Sequence, residues 1–471
     1  MTPGPGARAG PCEGLPLTPS QETLWEYMKA FAPEDPGDAR INFLGLRRVT
    51  GHLDQQVFRR AVADVVRRQP SLRTVFLTVD HDPLVMIEPE IDPPVRFADV
   101  SSMPEDARRE WLDSFYARER FRSFDLRRGP LWEIHLIRTA ERSHVLALSF
   151  SHIIFDGWSA NVLVAGIVHA YRAHLGLAPH PAGPDIEYQD IVALQRRSLP
   201  GLPEDLDHWT GRLLPAPEGV PFPVLDPPRD ADLMAETSHG FDFGAELAEK
   251  VAGVAWDLRA APFTLLLAAY HILLSLRTGR ERIIVGTTTM GRDTRASRHV
   301  VGQFTNNVYL AADIRPESPA RDVVTQVHSA MESGLARLAS FKATAAAVNP
   351  DFPKRRPWPF LHLYDAWFQA LSPDGPGLVF PDLTVEYLEF DEGTPPPGTK
   401  TRDDDARVPL WIKRGTPALI IDNDRSGGAL VHSPRFFDDH MVSEAARDYV
   451  SIVSALVRDP LRSVGSLHAP R

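Results

Sequence analysis

Apolar residues recur every three to four positions over 20–31 and 54–68, the spacing that sets one face of a helix against a core. The pattern then changes. Val145, Leu146, Ala147, Leu148 and Phe150 form a nearly continuous apolar run, which predicts a strand over 144–152 buried on both faces. Helical spacing returns over 158–171, so strand passes into helix between them. A Pro-rich stretch over 177–228 follows, interrupted by short helical pieces around 188–194 and 206–214. Beyond it, 245–259 and 263–276 read as helices and 282–288 as a strand. A helix is predicted over 321–338, with Val324, Val327, Met331 and Leu335 on one side. Segments 418–422 and 429–433 flank the turn-rich run Asp424-Arg425-Ser426-Gly427-Gly428 and fit a hairpin, and 441–457 reads as a last helix. Residues 342–382, rich in proline and aromatics, show no clear period and receive no element. The resulting organisation is a leader over 1–14, an α/β lobe over 15–176, an inter-lobe crossing over 177–232 and a second α/β lobe over 233–471.

A chain of 471 residues, 43% apolar and 24% charged, is of globular composition and long enough for two or three domains or one large two-lobed unit. The apolar run 264–276 is interrupted by His271 and Ser275 and closed by Arg277, short of the roughly 20 residues of a membrane span. No membrane crossing is expected. The leader is rich in Pro, Gly and Ala, with Arg8 and Glu13 as its only charges, and lacks the apolar core of a secretory signal; it reads as disordered. Cys12 is the single cysteine, so internal disulfides and cysteine metal clusters are excluded and a cytoplasmic location is expected. A formal charge of −11 argues against a general nucleic-acid binder, although local basic patches remain.

The segment that carries chemistry is Ser149-Phe150-Ser151-His152-Ile153-Ile154-Phe155-Asp156-Gly157-Trp158-Ser159. His152 leaves a dry strand, and Asp156 and Gly157 open the following helix. An imidazole, a carboxylate and a free backbone amide thus meet at one turn. A histidine at a strand end is, by itself, more often a satisfied structural residue. Rival signatures are missing: Gly4-Pro5-Gly6 has no strand before it or helix after it, and neither a phosphate loop nor a Gly-x-Ser-x-Gly elbow occurs. The histidines elsewhere, including His135, His144, His169 and His271, show no pairing with carboxylates at metal-binding spacing and read as core or surface residues. No metal is expected.

Ser151 through Gly157, with Trp158-Ser159 after it, resembles the His-His-x-x-x-Asp-Gly signature shared by condensation domains of nonribosomal peptide synthesis and chloramphenicol acetyltransferases, Ser151 standing in place of the first histidine. Other segments agree in order. Leu17-Thr18-Pro19-Ser20-Gln21-Glu22-Thr23-Leu24-Trp25 resembles the opening motif of condensation domains, and Arg67 through Phe76 the Arg-His-Glu-x-Leu-Arg-Thr-x-Phe motif. Phe124-Asp125-Leu126 with Gly129-Pro130-Leu131, Tyr188-Gln189-Asp190, Thr264 through Tyr270, Val285-Gly286, Gly291-Arg292 and Val301 through Asn307 follow, with Phe436-Phe437-Asp438 a weaker echo. Two later motifs, Gln-Asp-x-Pro-Phe and an Arg-x-Pro-Leu-like stretch, are not recognisable between Phe341 and Trp367.

The resemblance implies a V-shaped pair of chloramphenicol acetyltransferase-like α/β lobes with His152 at the floor of a tunnel between them. It implies that His152 accepts a proton from the acceptor or holds it, that the Gly157 amide faces the developing oxyanion, and that Ser151 supports the loop. Asp156 takes a structural role in a buried ion pair, with Arg292 the favoured partner and Arg73 the rival, while Trp158 and Asn306 line the tunnel. The enzyme itself would bind no cofactor. Its donor would arrive on the phosphopantetheine of a peptidyl carrier protein, docked by Arg118, Arg120 and Arg122 or by Lys354, Arg355 and Arg356. The acceptor would be a small molecule or carrier-bound, giving an amide or an ester. With no adenylation or carrier segment beside two lobes, action in trans as a monomer is expected. An acyl-CoA-dependent transferase and a non-catalytic carrier-recognition module are the alternatives.

Overall fold

The computed structural model describes residues 14–32, 35–79, 82–180, 187–198, 203–214, 237–292, 294–339, 341–348, 365–370, 378–380, 382–387, 417–422, 426–434 and 437–467. The expected leader with Cys12, and the basic run Lys354, Arg355 and Arg356, lie outside the described residues.

The first half contains α1 (Pro19–Phe31), β1 (Asn42–Gly51), α2 (Gln55–Arg68), β2 (Thr74–Val79), β3 (Asp82–Ile87), β4 (Val95–Asp99), α3 (Glu105–Arg120), β5 (Trp132–Ala140), β6 (Ser143–Ser151) and α4 (Gly157–His174). Helices α5 (Tyr188–Ser198) and α6 (Pro203–Leu213) follow. The second half contains β7 (Thr237–Asp242), α7 (Gly244–Asp257), α8 (Pro262–Thr278), β8 (Arg282–Thr289), β9 (Asn306–Asp313), α9 (Ala320–Leu335) and α10 (Phe341–Val348). It ends with β10 (Ala366–Ala370), β11 (Leu378–Val379), β12 (Leu383–Tyr387), β13 (Ala418–Ile421), β14 (Gly427–His432) and α11 (Asp439–Arg458).

Local chemistry explains where the helices begin. Thr18 accepts from the Gln21 amide while the Gln21 side chain accepts from the Thr18 amide, a reciprocal cap that gives the opening motif a structural purpose. Asp54 caps α2 through the amides of Gln56 and Val57. Helix α8 is apolar all round, and it lies inside the second lobe with Leu265, Leu266, Leu267 and Leu274 fully buried. Among the described residues no single helix is long and apolar enough to cross a membrane.

Two six-stranded sheets carry the two lobes, in the orders β11-β12-β1-β6-β5-β4 and β7-β14-β13-β10-β8-β9. Strand β6 is central in the first, paired antiparallel to β1 and β5, which accounts for its unbroken apolar run. One boundary needs correcting. Residues 378–387, assigned by sequence to the second lobe, complete the first sheet, where β12 pairs antiparallel with β1 from Arg47↔Tyr387 to Gly51↔Leu383. Leu383 and Val385 are buried while Glu386 is exposed, so a two-residue alternation suits this strand to cover the outer side of β1. Helix α5 meets α1, with the Ser20 amide donating to Gln195 and the Tyr188 hydroxyl donating to Gln21 at 2.6 Å. Helix α6 meets the other lobe, where Trp209 Nε1 donates to the Arg337 carbonyl at 2.7 Å.

His135 on β5 is not the unpaired residue its sequence context suggests. Its Nε2 lies 3.4 Å from Glu119 and 3.3 Å from Glu133, and Arg122 reaches both carboxylates at 2.6 Å. Helix α3 sets Glu119 against β5, which spacing alone does not reveal. Arg122, half-buried, is thereby held by two carboxylates of its own lobe. Burial opposes every charge here, but His135 and Arg122 hold Glu119 well below the usual carboxylate range, and His135, Arg96 and Arg122 hold Glu133 at about 2. Burial lowers His135 too, yet Glu119 and Glu133 outweigh it and raise its pKa above 6.5.

The signs fix a pH window. The depressed carboxylates contribute stability that is present above the unfolded glutamate value of 4.5 and lost as pH falls. The raised histidine contributes stability that is present below 6.5 and lost as pH rises through its folded value. The stability difference between wild type and His135→Gln should therefore be present below pH 6.5 and shrink as pH rises through the raised folded value of the histidine. Urea melts across that range measure it. A difference independent of pH would show that His135 carries no charge in the folded state.

Candidate active site

The turn after β6 is built on aromatic packing. Trp132 stacks on Phe150 at 5.6 Å between ring centres, Phe150 on Phe155 at 3.9 Å, and Phe43 leans on Phe155 at 5.1 Å. Ile153, Ile154 and Phe155 are fully buried, so the short 3₁₀ turn His152–Ile154 is held from below. The Ser151 amide donates to the Leu131 carbonyl at 2.8 Å and the His152 amide to the Ile41 carbonyl at 2.9 Å. Ser151 itself is 1% exposed at the strand end, where it belongs to the wall under the turn.

His152 is 8% exposed, and its Nδ1 makes no hydrogen bond of full geometry among the described residues. Burial lowers its pKa below the ordinary 6.5, against the opposing pull of backbone groups of His152 and Phe155 and the charge of Asp156. The imidazole is therefore neutral near pH 7 and able to take a proton.

Asp156 caps α4 and is 1% exposed. It accepts from the Ser159 amide at 2.8 Å, from the Phe304 amide at 3.1 Å, and from Arg292 Nη2 at 2.8 and 2.9 Å through both oxygens. Ser159 Oγ lies 2.7 Å from the same carboxylate and accepts from the Gly302 amide at 2.9 Å. Arg292 spends Nη1 on the carbonyls of Ser297 and Val300 at 2.6 and 2.8 Å and places its guanidinium 4.1 Å over the Phe304 ring. Both oxygens of Asp156 are thus occupied. Its geometry is that of a structural ion pair joining the lobes.

Gly291 sets up this pair: it has φ +60°, and a Cβ there would stand 2.0 Å from the Phe304 carbonyl oxygen. Arg73, the rival partner, instead donates to the carbonyls of Val66 and Glu88 at 3.3 and 2.5 Å and stitches the β2–β3 hairpin to α2.

Gly157 begins α4 exposed, and a Cβ built on it would meet nothing within 4 Å among the described residues. Neither backbone conformation nor packing requires glycine there. The Cα of this first helical residue therefore faces open space. Trp158 donates from Nε1 to the Arg298 carbonyl at 2.9 Å and borders a cavity of about 660 Å³ between α2, α4 and the segment 295–299. Arg68, Arg295, Arg298, His169 and His299 also line this cavity, whereas His152 does not. Asn306 is 3% exposed at the start of β9, with its Nδ2 unpartnered among the described residues and no hydrogen bond to His152, Asp156 or Gly157.

The sequence alone did not single out Gln69 or Ser159. Gln69 accepts from the Val301 amide at 2.9 Å and donates to the His299 carbonyl at 3.2 Å, fastening the second lobe's segment to α2. Ser159 was legible as a polar residue three positions after a helix cap. Its link to Gly302 is a contact 143 positions away that no local pattern encodes.

The chain matches the family described as Condensation domain over residues 13–337. It is 32% identical over 329 residues to phosphinothricin tripeptide synthetase PhsB of Streptomyces viridochromogenes, covering 68% of this chain and 27% of that protein. The chain therefore spans only about a quarter of that relative's length. Among solved structures, the X-domain from teicoplanin biosynthesis superposes with a TM-score of 0.78 at 20% identity, covering 99% of each chain. SgcC5 protein from Streptomyces globisporus gives 0.73 at 23% identity, covering 95% of this chain and 100% of that one. These structural likenesses establish the two-lobed fold. The chain belongs to the condensation-domain family of nonribosomal peptide synthesis, whose chemistry is amide-bond formation.

Proposed function

We propose that the chain transfers an acyl or aminoacyl group from the phosphopantetheine thioester of a peptidyl carrier protein to an amine or hydroxyl acceptor, giving an amide or ester and the free carrier thiol. The observation that carries this reading is a buried, neutral His152 one turn before Gly157, which starts α4 with open space about its Cα. The imidazole takes or orients the proton of the incoming amine or hydroxyl, and the amide receives the charge that grows on the thioester oxygen. A neutral base matters because a protonated one has nothing to accept with. The cavity beside Trp158 adds support: three arginines and two histidines in its lining suit the phosphate of a pantetheine arm.

The test offers matched aminoacyl-carrier and aminoacyl-CoA donors with primary amines and alcohols, and follows products by mass spectrometry. Docking of the carrier should give it the higher kcat/KM, because binding energy remote from the reacting bond is used in the transition state. Equal specificity constants would favour the acyl-CoA transferase. Carrier binding without product from any donor would favour a recognition module.

A further inference from the structure

The second lobe repeats the first lobe's plan around its own helix start. Strand β14 lies between β7 and β13 as β6 lies between β1 and β5, and each leads to a helix capped by an aspartate, Asp156 for α4 and Asp438 for α11. Where the first lobe places His152, the second has His432 ending β14. The register sets Leu430 opposite His239, so His239 and His432 lie diagonally across β14 and β7 on one face of the sheet. Asp439, the first residue of α11, completes a group with them.

The geometry of this group is that of a ligand set. His239 Nε2 and Asp439 Oδ1 are 2.9 Å apart, His432 Nε2 and the same oxygen 3.4 Å, and the three ligand atoms lie within 4.8 Å of one another. A tetrahedral site with bonds of about 2.0–2.1 Å separates its ligands by about 3.3 Å, close to the two histidine–aspartate separations, and an ion would replace the present His239–Asp439 hydrogen bond. His432 is fully buried, yet neither ring nitrogen has a hydrogen-bond partner among the described residues. Leaving a buried polar ring unsatisfied is costly, and such a group calls for an explanation. Asp439 has no Lys or Arg partner among the described residues, and its side chain is 57% exposed, which gives an ion a path in from solvent. The Glu119, Glu133 and His135 group differs here, because Arg122 and Arg96 already balance its carboxylates.

We propose that His239, His432 and Asp439 form a binding site for a divalent transition metal, zinc in the first instance, that fastens the start of α11 to β7 and β14. Two imidazoles and one carboxylate are a borderline donor set that suits zinc rather than magnesium, and three protein ligands leave a fourth position for water. The metal acts on the fold of the second lobe, apart from the His152 chemistry.

The test uses the tag-free full chain stripped with a chelator and titrated calorimetrically with zinc chloride, with magnesium chloride alongside. One zinc per chain and a higher melting temperature with zinc are expected, with neither effect from magnesium. His239→Gln, His432→Gln and Asp439→Asn should each weaken zinc binding by more than about 100-fold, beyond what second-shell changes cost. Asp439 is exposed, so Asp439→Asn keeps the test valid even if a buried histidine variant fails to fold. No stoichiometric zinc uptake would overturn the proposal. So would uptake that His239→Gln and Asp439→Asn leave unchanged.

Discussion

Asp156→Ala should destabilise the folded chain by about 3–5 kcal/mol, because it leaves the guanidinium of Arg292 charged, almost fully buried and without its carboxylate. The amides of Ser159 and Phe304 lose their acceptor in the same step. A loss of that size is a large share of the total stability of most domains, so melting temperature and soluble yield should fall together with activity. Arg292→Ala should produce a comparable defect by stranding Asp156. Combining the two should cost less than their sum, since no lone charge then remains. Thermal and urea melts of wild type, both single variants and the double variant measure this coupling. An Asp156→Ala protein of full stability but no activity would make Asp156 part of the chemistry and contradict its structural assignment.

The ion pair also illustrates what sequence could and could not disclose. The unbroken apolar run of β6, the helical spacing of α4 and the Gly-Arg pair at 291–292 are local patterns, and the structure realises them as a strand, a helix and a buried arginine. Sequence favoured Arg292 over Arg73, and the contact across 136 positions is what distinguishes them. The contribution of β12 to the first sheet was equally hidden, because strand exchange is decided by which sheet edge is open rather than by the strand's own alternation. His239 and Asp439 are separated by 200 positions, and antiparallel pairing of β7 with β14 brings His239 beside His432. The room beside Gly157 could not be read from a glycine alone, which serves as readily in a turn.

His152→Ala should reduce turnover by about 10²–10⁴-fold, the range that positioned proton transfer contributes. The site explains why no neighbour replaces it: both oxygens of Asp156 are committed, and Ser159 already bridges Asp156 and Gly302. Burial holds the imidazole neutral to below its ordinary 6.5, so the wild-type rate should stay level as pH falls through that value and decline only further into acid. Folding should be little affected, because the strand and the stack of Trp132, Phe150 and Phe155 are untouched.

Single-turnover transfer from an aminoacyl-carrier thioester to an amine, run with wild type and His152→Ala at equal folded concentration, tests the division of labour most directly. The predicted result is a rate lower by about 10²–10⁴-fold in His152→Ala with an unchanged melt. Transfer at the wild-type rate by a fully folded His152→Ala protein would contradict it.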